Sequence, residues 1–424
     1  MNFSTLPNLI ALAILVVVFW AISRKAISEQ VHLWLIGWVL VLVHFGAQFA
    51  ATASGTWGLV AESVSLDSLI LAGVAFLISV SAIVSNRRSK VFLALAIAVP
   101  ALAYSNGAIW GIGYQSFYYC CTAVGMLAPL LLLWRYKPRG NLYAAGVVMA
   151  ALAAGATGWG VAHGDPDIGI TVILAGLNFT AAILYWNHHK RPTAGVLTAV
   201  SGFVLWGAVF PTAALLQLFA PSVKVESEVW NIPKYLVAVG MILTLLEDQI
   251  ERSTYLAYHD ELTDLPNRRL LEDRLHQALA QANRAESKVG VFVLDLDHFK
   301  EVNDTFGHRV GDIALREVVA RLGSRLRASD TLARSGGDEF TVVSQVDNAE
   351  GAQVLLLALE SALCDPILVE GEQVRTGLSI GLALYPDDGS NPDQLHAAAD
   401  RAMYAAKRAS RPSDAVGAMP QTSF

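Results

Sequence analysis

Hydrophobic positions in the first 247 residues come in long unbroken runs, while beyond about residue 258 they recur at helical or alternating spacing. Apolar runs of roughly 20 residues, the length that crosses a bilayer as a helix, stand near 7–23, 31–51, 67–85, 91–107, 116–134, 141–161, 168–187, 193–219 and 231–247. They predict an all-α polytopic region of about nine membrane helices. The first run follows MNFSTLPN, which lacks the basic start of a secretory signal, so it is expected to stay in the membrane. Beyond 258 the spacing predicts helices over 268–285, 308–330, 350–364 and 392–410. VGVFVLDLDHF (289–299) reads as a buried strand, with Asp295 and Asp297 on one face and Phe292, Leu294 and Leu296 on the other. TLARSGGDEFTVVSQV reads as two short strands around Gly336–Gly337, the dipeptide a two-residue hairpin turn favours because both positions need positive φ, and a further strand covers 374–385, so the second part is α/β.

Charge follows the same division. Residues 1–250 hold 12 Lys+Arg and 9 Asp+Glu, a net of +3, and residues 251–424 hold 18 and 27, a net of −9. An acidic second part argues against a nucleic-acid partner, because phosphate contacts need clustered Lys and Arg. In the first part, Arg24, Lys25, Arg87, Arg88, Lys90, Arg135, Lys137, Arg139, Lys190 and Arg191 fall in alternate connections. The others carry Glu62, Asp67, Asp165, Asp167, Glu226 and Glu228, with Lys224 and Lys234. The positive-inside rule makes the basic side cytoplasmic. The N-terminus is then outside and the acidic part cytoplasmic, on a multi-pass protein of a bacterial inner membrane.

The spans are read as nearly free of buried charge, which weighs against a transporter or channel. His44, inside the second run, is either a sensor group or a satisfied packing histidine. Trp20, Trp34, Trp38, Trp110, Trp134 and Trp186 are read mostly as interfacial aromatics. Cys120, Cys121 and Cys364 have neither metal-ligand nor disulfide spacing. The last run continues without a Gly or Pro break into 248–258, where Leu243, Leu246, Ile250 and Leu256 approximate a stripe. That stripe pairs with a second copy of the chain or packs on its own domain.

The candidate chemistry lies in LARSGGDEF. Acids after a tight turn can simply keep a strand edge soluble. Asp295, at the end of the preceding strand, changes the picture: together with Asp338 and Glu339 it forms a carboxylate cluster that is costly unless a cation neutralises it.

Residues 258–412 resemble the diguanylate cyclase, or GGDEF, family. The resemblance rests on HDELTDLPNRR, DLDHFKEVNDTFGHRVGD, RASDTLARSGGDEF, LSIGLALYP and ADRAMYAAKRASR, in that order. It implies a nucleotidyl-cyclase-like α/β domain with an antiparallel-centred sheet and flanking helices. The division of the chain is then 1–247 membrane sensor or anchor, 248–258 helical signalling linker, 259–412 GGDEF domain and 413–424 disordered tail. The implied reaction condenses two GTP into cyclic di-GMP and two pyrophosphates in a homodimer.

The resemblance implies magnesium or manganese, two ions per site, held by Asp295, the Leu296 carbonyl and Glu339. Asp338 and Glu339 are the implied catalytic pair. Asn303 and Asp312 would read guanine, Gly336 and Gly337 would admit the substrate, and Phe299 and Lys300, on the loop after the strand, would face the phosphates with Lys407 and Arg411. Arg327 and Asp330 match an inhibitory site for the product. The implied partners are GTP, cyclic di-GMP as product and inhibitor, membrane lipid and a second copy of the chain. A catalytically silent GTP or cyclic di-GMP receptor is the alternative reading. No phosphodiesterase domain is expected to follow the last motif.

Overall fold

The computed structural model describes residues 6–24, 28–50, 55–80, 86–136, 141–189, 191–220, 222–223 and 227–410. Arg411 and the tail over 413–424 lie outside them. The chain divides into two compact units, Met1–Gln249 and Ile250–Phe424.

Among the described residues the first unit is all helical: α1 (Leu6–Ser23), α2 (Glu29–Ala50), α3 (Thr56–Ser79), α4 (Arg87–Ile109), α5 (Gln115–Tyr136), α6 (Asn141–Ala162), α7 (Asp167–His188), α8 (Ala194–Phe219) and the start of α9 (Ser227–Tyr258). Among the described residues, seven of these are long and apolar enough to cross a membrane; the side chains of α5 and α6 are described only in part, and the apolar described part of α6 is Val147–Ala162. α9 also covers residues 248–258, read above as a linker.

Three expectations change here. Glu62 and Asp67, expected in a connection, lie inside α3, where Asn106 of α4 donates to both Asp67 oxygens at 2.8 and 3.0 Å. Lys234, also expected in a connection, is 2% exposed within α9; its ammonium donates to Asn231 Oδ1 at 2.7 Å and sits 3.6 Å from the Phe45 ring centroid. The spans therefore do carry charge, with Asp67 and Lys234 each held by a dedicated partner. Trp34 and Trp38 are buried, not interfacial: Trp34 stacks on Tyr185, and Trp38 on Phe19 and Trp206. His44 is the satisfied packing histidine, its Nδ1 2.9 Å from both the carbonyl and the hydroxyl of Ser65.

The second unit contains α10 (Arg268–Ala285), β1 (Lys288–Asp297), α11 (Phe299–Phe306), α12 (His308–Gly323), β2 (Thr331–Gly336), β3 (Glu339–Val346), α13 (Ala349–Ser361), β4 (Ile367–Val369), β5 (Glu372–Val374), β6 (Gly377–Tyr385) and α14 (Pro392–Ser410). The sheet order is β2-β3-β1-β6, antiparallel throughout, with a separate β4-β5 hairpin. β1 is central because its residues are apolar on both faces, so it can be covered on both sides. Phe292, Leu294 and Leu296 pack with Val310, Ala314 and Val318 of α12 on one face. Val289, Val291 and Val293 pack with Leu271 and Leu275 of α10 and Leu395 and Met403 of α14 on the other. The alternation that puts Asp295 and Asp297 opposite Leu294 therefore aims the acids at the α10–α14 side. α11 was expected as a loop, and the β4–β5 hairpin was not foreseen.

In the first unit, α8 and α9 touch through small residues: a side chain on Gly202 would meet the Val237 backbone nitrogen at 2.6 Å, whereas one on Gly155 of α6 would meet nothing within 4 Å. Gly202→Leu is expected to destabilise the membrane unit by about 1–3 kcal/mol through overpacking, and Gly155→Leu to leave it unchanged. Thermal melting of the detergent-solubilised chain checks this pair.

Candidate functional site

The site forms where β1 ends and β3 begins. Antiparallel pairing sets Asp295 directly opposite Glu339, and Leu296 N–H donates to the Asp338 carbonyl at 3.2 Å. Residues directly opposite on paired strands project to the same face, so two carboxylates from distant segments become neighbours. Asp297 faces the same way but is committed to the sheet: Ser379 of β6 donates to its Oδ1 at 2.7 Å, and Thr376 to its carbonyl at 3.0 Å.

The turn differs from expectation. Gly336 ends β2 and Glu339 starts β3, so the connecting residues are Gly337 and Asp338. Of the two glycines only Gly337 has positive φ, at 50°. Gly336 has another use: a side chain there would meet no atom within 4 Å, so this face of the hairpin stays open.

Asp295 is 8% exposed. Its Oδ1 accepts a hydrogen bond from the Lys407 ammonium, carried by α14. Partial burial works against the charge on Lys407, but its bond to Asp295 and the fields of Asp295, Asp297 and Asp338 outweigh that and hold its pKa above the usual value. Glu339 is pushed up from the ordinary carboxyl value, first by burial and then by repulsion from Asp295, Asp338 and Asp400, with Lys407 partly offsetting. Asp400, seven residues before Lys407 on the same helix, was not singled out from the sequence; its spacing on the face that carries Lys407 was the available signal.

Among the described residues, no three His, Cys, Asp or Glu side chains form a group arranged to hold a metal. Asp295 and Glu339 nonetheless offer the hard oxygen donors that magnesium and manganese prefer. Burial, more than the neighbouring acids, raises Glu339, and Lys407 offsets only part of that.

The remaining candidates divide. Lys300 is exposed on α11, but the Phe299 side chain is 5% exposed in the core, so Phe299 has its backbone to offer a ligand. Asn303 of α11 lies against Gly311 of α12, where any side chain would collide with the Asn303 amide oxygen. That contact brings Asn303 beside exposed Asp312, the next residue. Asp330 accepts from the Arg327 backbone N–H and from Ser344 Oγ, each at 2.8 Å. It therefore fixes the turn, while the Arg327 side chain is exposed. Arg411 lies outside the described residues.

Arg334, one turn from the acids, was not foreseen either. Its Nε and Nη2 donate to the Gly337 carbonyl at 2.9 and 2.6 Å, and its Nη1 donates to Asp260 Oδ1 at 2.8 Å. Its backbone N–H donates to Pro266 O at 2.9 Å. The turn over 259–267 is thus stapled to the acidic hairpin. Burial disfavours the Asp260 anion, but bonds from Thr263 and Arg334 outweigh it and hold its carboxyl below the ordinary value.

Residues 257–413 match the family described as diguanylate cyclase, GGDEF domain. The bifunctional diguanylate cyclase/cyclic di-GMP phosphodiesterase MucR of Pseudomonas aeruginosa is 41% identical over 186 residues, which are 40% of this chain and 27% of that protein. Diguanylate cyclase TpbB of the same species is 43% identical over 169 residues, 39% of each chain. The chain thus spans less than half the length of these curated relatives. The crystal structure of the GGDEF domain of TpbB is similar at 41% identity, covering 35% of this chain and 94% of that one, with a TM-score of 0.35.

A depressed folded-state pKa adds stability above the unfolded value, which is lost as pH falls through the folded value. A fragment of residues 250–424 is therefore expected to lose stability below the ordinary carboxylate range in part through Asp260. Asp260→Asn should flatten that acid limb, and Arg334→Ala should cost about 1–3 kcal/mol near neutrality. Urea melts at stepped pH check both.

Proposed function

We propose, on the premise that residues 257–413 form a GGDEF domain, that the chain is a membrane-embedded diguanylate cyclase converting two GTP into cyclic di-GMP and two pyrophosphates. The observation that carries this reading is the register that sets Asp295 opposite Glu339, beside Asp338 in the hairpin and Lys407 on α14. Asp295, the Leu296 carbonyl and Glu339 would hold magnesium or manganese, two ions per site, with Asp338 in support; when bound, such ions neutralise phosphate charge.

Lys300 and Lys407, joined by Arg411, would face the triphosphate and offset its negative charge. The open face at Gly336 and Gly337 and the backbone at Phe299 let the phosphates come close. Asn303 and Asp312 would read guanine, the Asp312 carboxylate accepting from the base's N1 and exocyclic amine. Each 3′-hydroxyl attacks the α-phosphate of the other nucleotide, the bond to the β-phosphate breaks, and pyrophosphate leaves. One domain holds one GTP, so closing the ring needs two copies of the chain, and proximity supplies much of the rate.

The stripe on α9 supports that pairing: Leu246, Ile250 and Leu256 are 48%, 66% and 44% exposed, apolar surface left uncovered in one chain. Arg327, exposed beside the turn fixed by Asp330, would bind product, since an arginine pairs bidentately with guanine. The seven apolar helices suit an inner-membrane sensor with a cytoplasmic catalytic domain.

One observation favours a second reading. The Lys407 ammonium already neutralises Asp295, which fits a domain that binds GTP or cyclic di-GMP without turnover. Membranes carrying the chain, incubated with labelled GTP and magnesium, separate the two: cyclic di-GMP forms in the first reading, and in the second the nucleotide binds unchanged. Glu339→Ala is expected to lower turnover by about 10²-fold or more with the fold intact; full turnover in that variant refutes the site. Arg327→Ala should raise the product concentration needed for half-inhibition, and an unmoved inhibition curve counts against the inhibitory site.

A further inference from the structure

The membrane unit contains a cavity that the cyclase reading does not use. Its volume is about 790 Å³, within the range of small-molecule pockets. It lies among α3–α8 and follows α7 from Thr171 to Asn187, about 24 Å of helix at ~1.5 Å per residue. Small residues hollow it, and a side chain added to Gly176 would meet nothing within 4 Å.

The lining has two parts. Tyr104, Cys121, Thr122, Thr157 and Thr171 stand within two helical turns of the end where α4 and α6 finish and α5 and α7 begin. Farther in, the walls are mainly apolar, among them Ile97, Met126, Met149, Leu152 and Leu184, with Thr180 and Asn187 the polar exceptions; Asn187 donates to Ile183 O at 2.9 Å. Among the described residues no Asp, Glu, Lys, Arg or His lines the cavity. Pro100 and Pro211 also border it, and a proline cannot donate to the carbonyl four residues back. The carbonyls of Ala96 and Gly207 are thereby released from their helical ladders.

The polar groups at the ring are not equivalent. Tyr104 donates to Pro166 O at 3.2 Å and Thr122 to Tyr118 O at 2.8 Å. Thr157 is 3% exposed and, among the described residues, makes no side-chain hydrogen bond. Its hydroxyl is not among the fully buried side-chain atoms left without a partner, so it keeps some accessible surface where the residue borders the cavity, and a polar group there is served by a hydrogen-bonding ligand.

We infer that the cavity binds a single-chain lipophile with an uncharged hydroxyl head, such as a long-chain alcohol, its head at Thr157 and its chain along α7. A phospholipid headgroup or a fatty-acid carboxylate brings charge that no group in the described lining answers. The hydroxyl head both donates and accepts, which suits Thr157. α7 also carries Tyr185, whose hydroxyl donates to Thr244 of α9 at 3.1 Å, so an occupant along α7 lies one contact from the helix that leaves this unit.

The test uses the full chain in lipid nanodiscs and a diazirine-bearing hexadecanol, and its readout is labelling, independent of cyclase activity. Labelled peptides should come from α5–α7, and excess plain hexadecanol should suppress them about ten-fold or more. Gly176→Phe should suppress them similarly, with Ala153→Leu as the second cavity-filling variant if the first does not fold. Thr157→Val should weaken labelling about five-fold, as one hydrogen bond is lost. Labelling that ignores both filling variants and is equally strong at outward-facing Ile14 and Val91 overturns the site. Ionised palmitate competing as well as hexadecanol overturns the uncharged head.

Discussion

The carboxylate of Asp295 is nearly withdrawn from water and stands among Glu339, Asp338 and Asp297, an arrangement that Coulomb repulsion would open without a cation. Lys407 supplies the positive charge from a helix 112 residues away in sequence. Its reach depends on how closely α14 lies on the sheet. That approach depends on Gly381 of β6, where a side chain would collide with the Ala399 carbonyl and the Met403 backbone nitrogen. One missing Cβ on β6 thus sets the layer spacing, the spacing sets the ammonium, and the ammonium permits the acids.

The hairpin obeys a second constraint. Gly337 adopts positive φ, and its carbonyl accepts from a side chain. Arg334 captures that carbonyl with two N–H groups and spends a third on Asp260. Planar guanidinium geometry suits this double task, and a lysine could not reproduce it. The segment that follows α9 is therefore tied to the loop carrying Asp338 by one side chain. The tie is local to the second unit.

Much of this could be read from the residues because the signals were long or periodic. The nine helices follow from apolar runs, and β1 follows from VGVFVLDLD. Periodicity fails where a helix mixes small, polar and acidic residues: α3 begins at Thr56, and Glu62 and Asp67 inside it were taken for a connection. It fails again for α11, whose eight residues are too few to repeat a pattern. Turn chemistry assigned positive φ to both glycines, whereas the register makes Gly336 a strand residue. Asp260–Arg334 and Asp295–Lys407 are pairings across 74 and 112 positions, and local spacing carries no record of them.

Charge in the membrane unit is scarce but never casual. Lys234 is held by Asn231 and lies over Phe45, Asp67 takes both oxygens to Asn106, and Lys90 pairs with Glu29 at 2.7 Å. In a low-dielectric interior an unanswered charge is expensive, and these groups are answered. Against that background the cavity along α7 reads as a selective space. Its described lining carries no charge to attract an ion, Pro100 and Pro211 border it, and Thr157 brings a hydroxyl that makes no side-chain hydrogen bond among the described residues. Water would gain little in the apolar length beyond that ring. A molecule that is oily for most of its length and polar at one neutral end satisfies both regions at once, and a charged one satisfies neither.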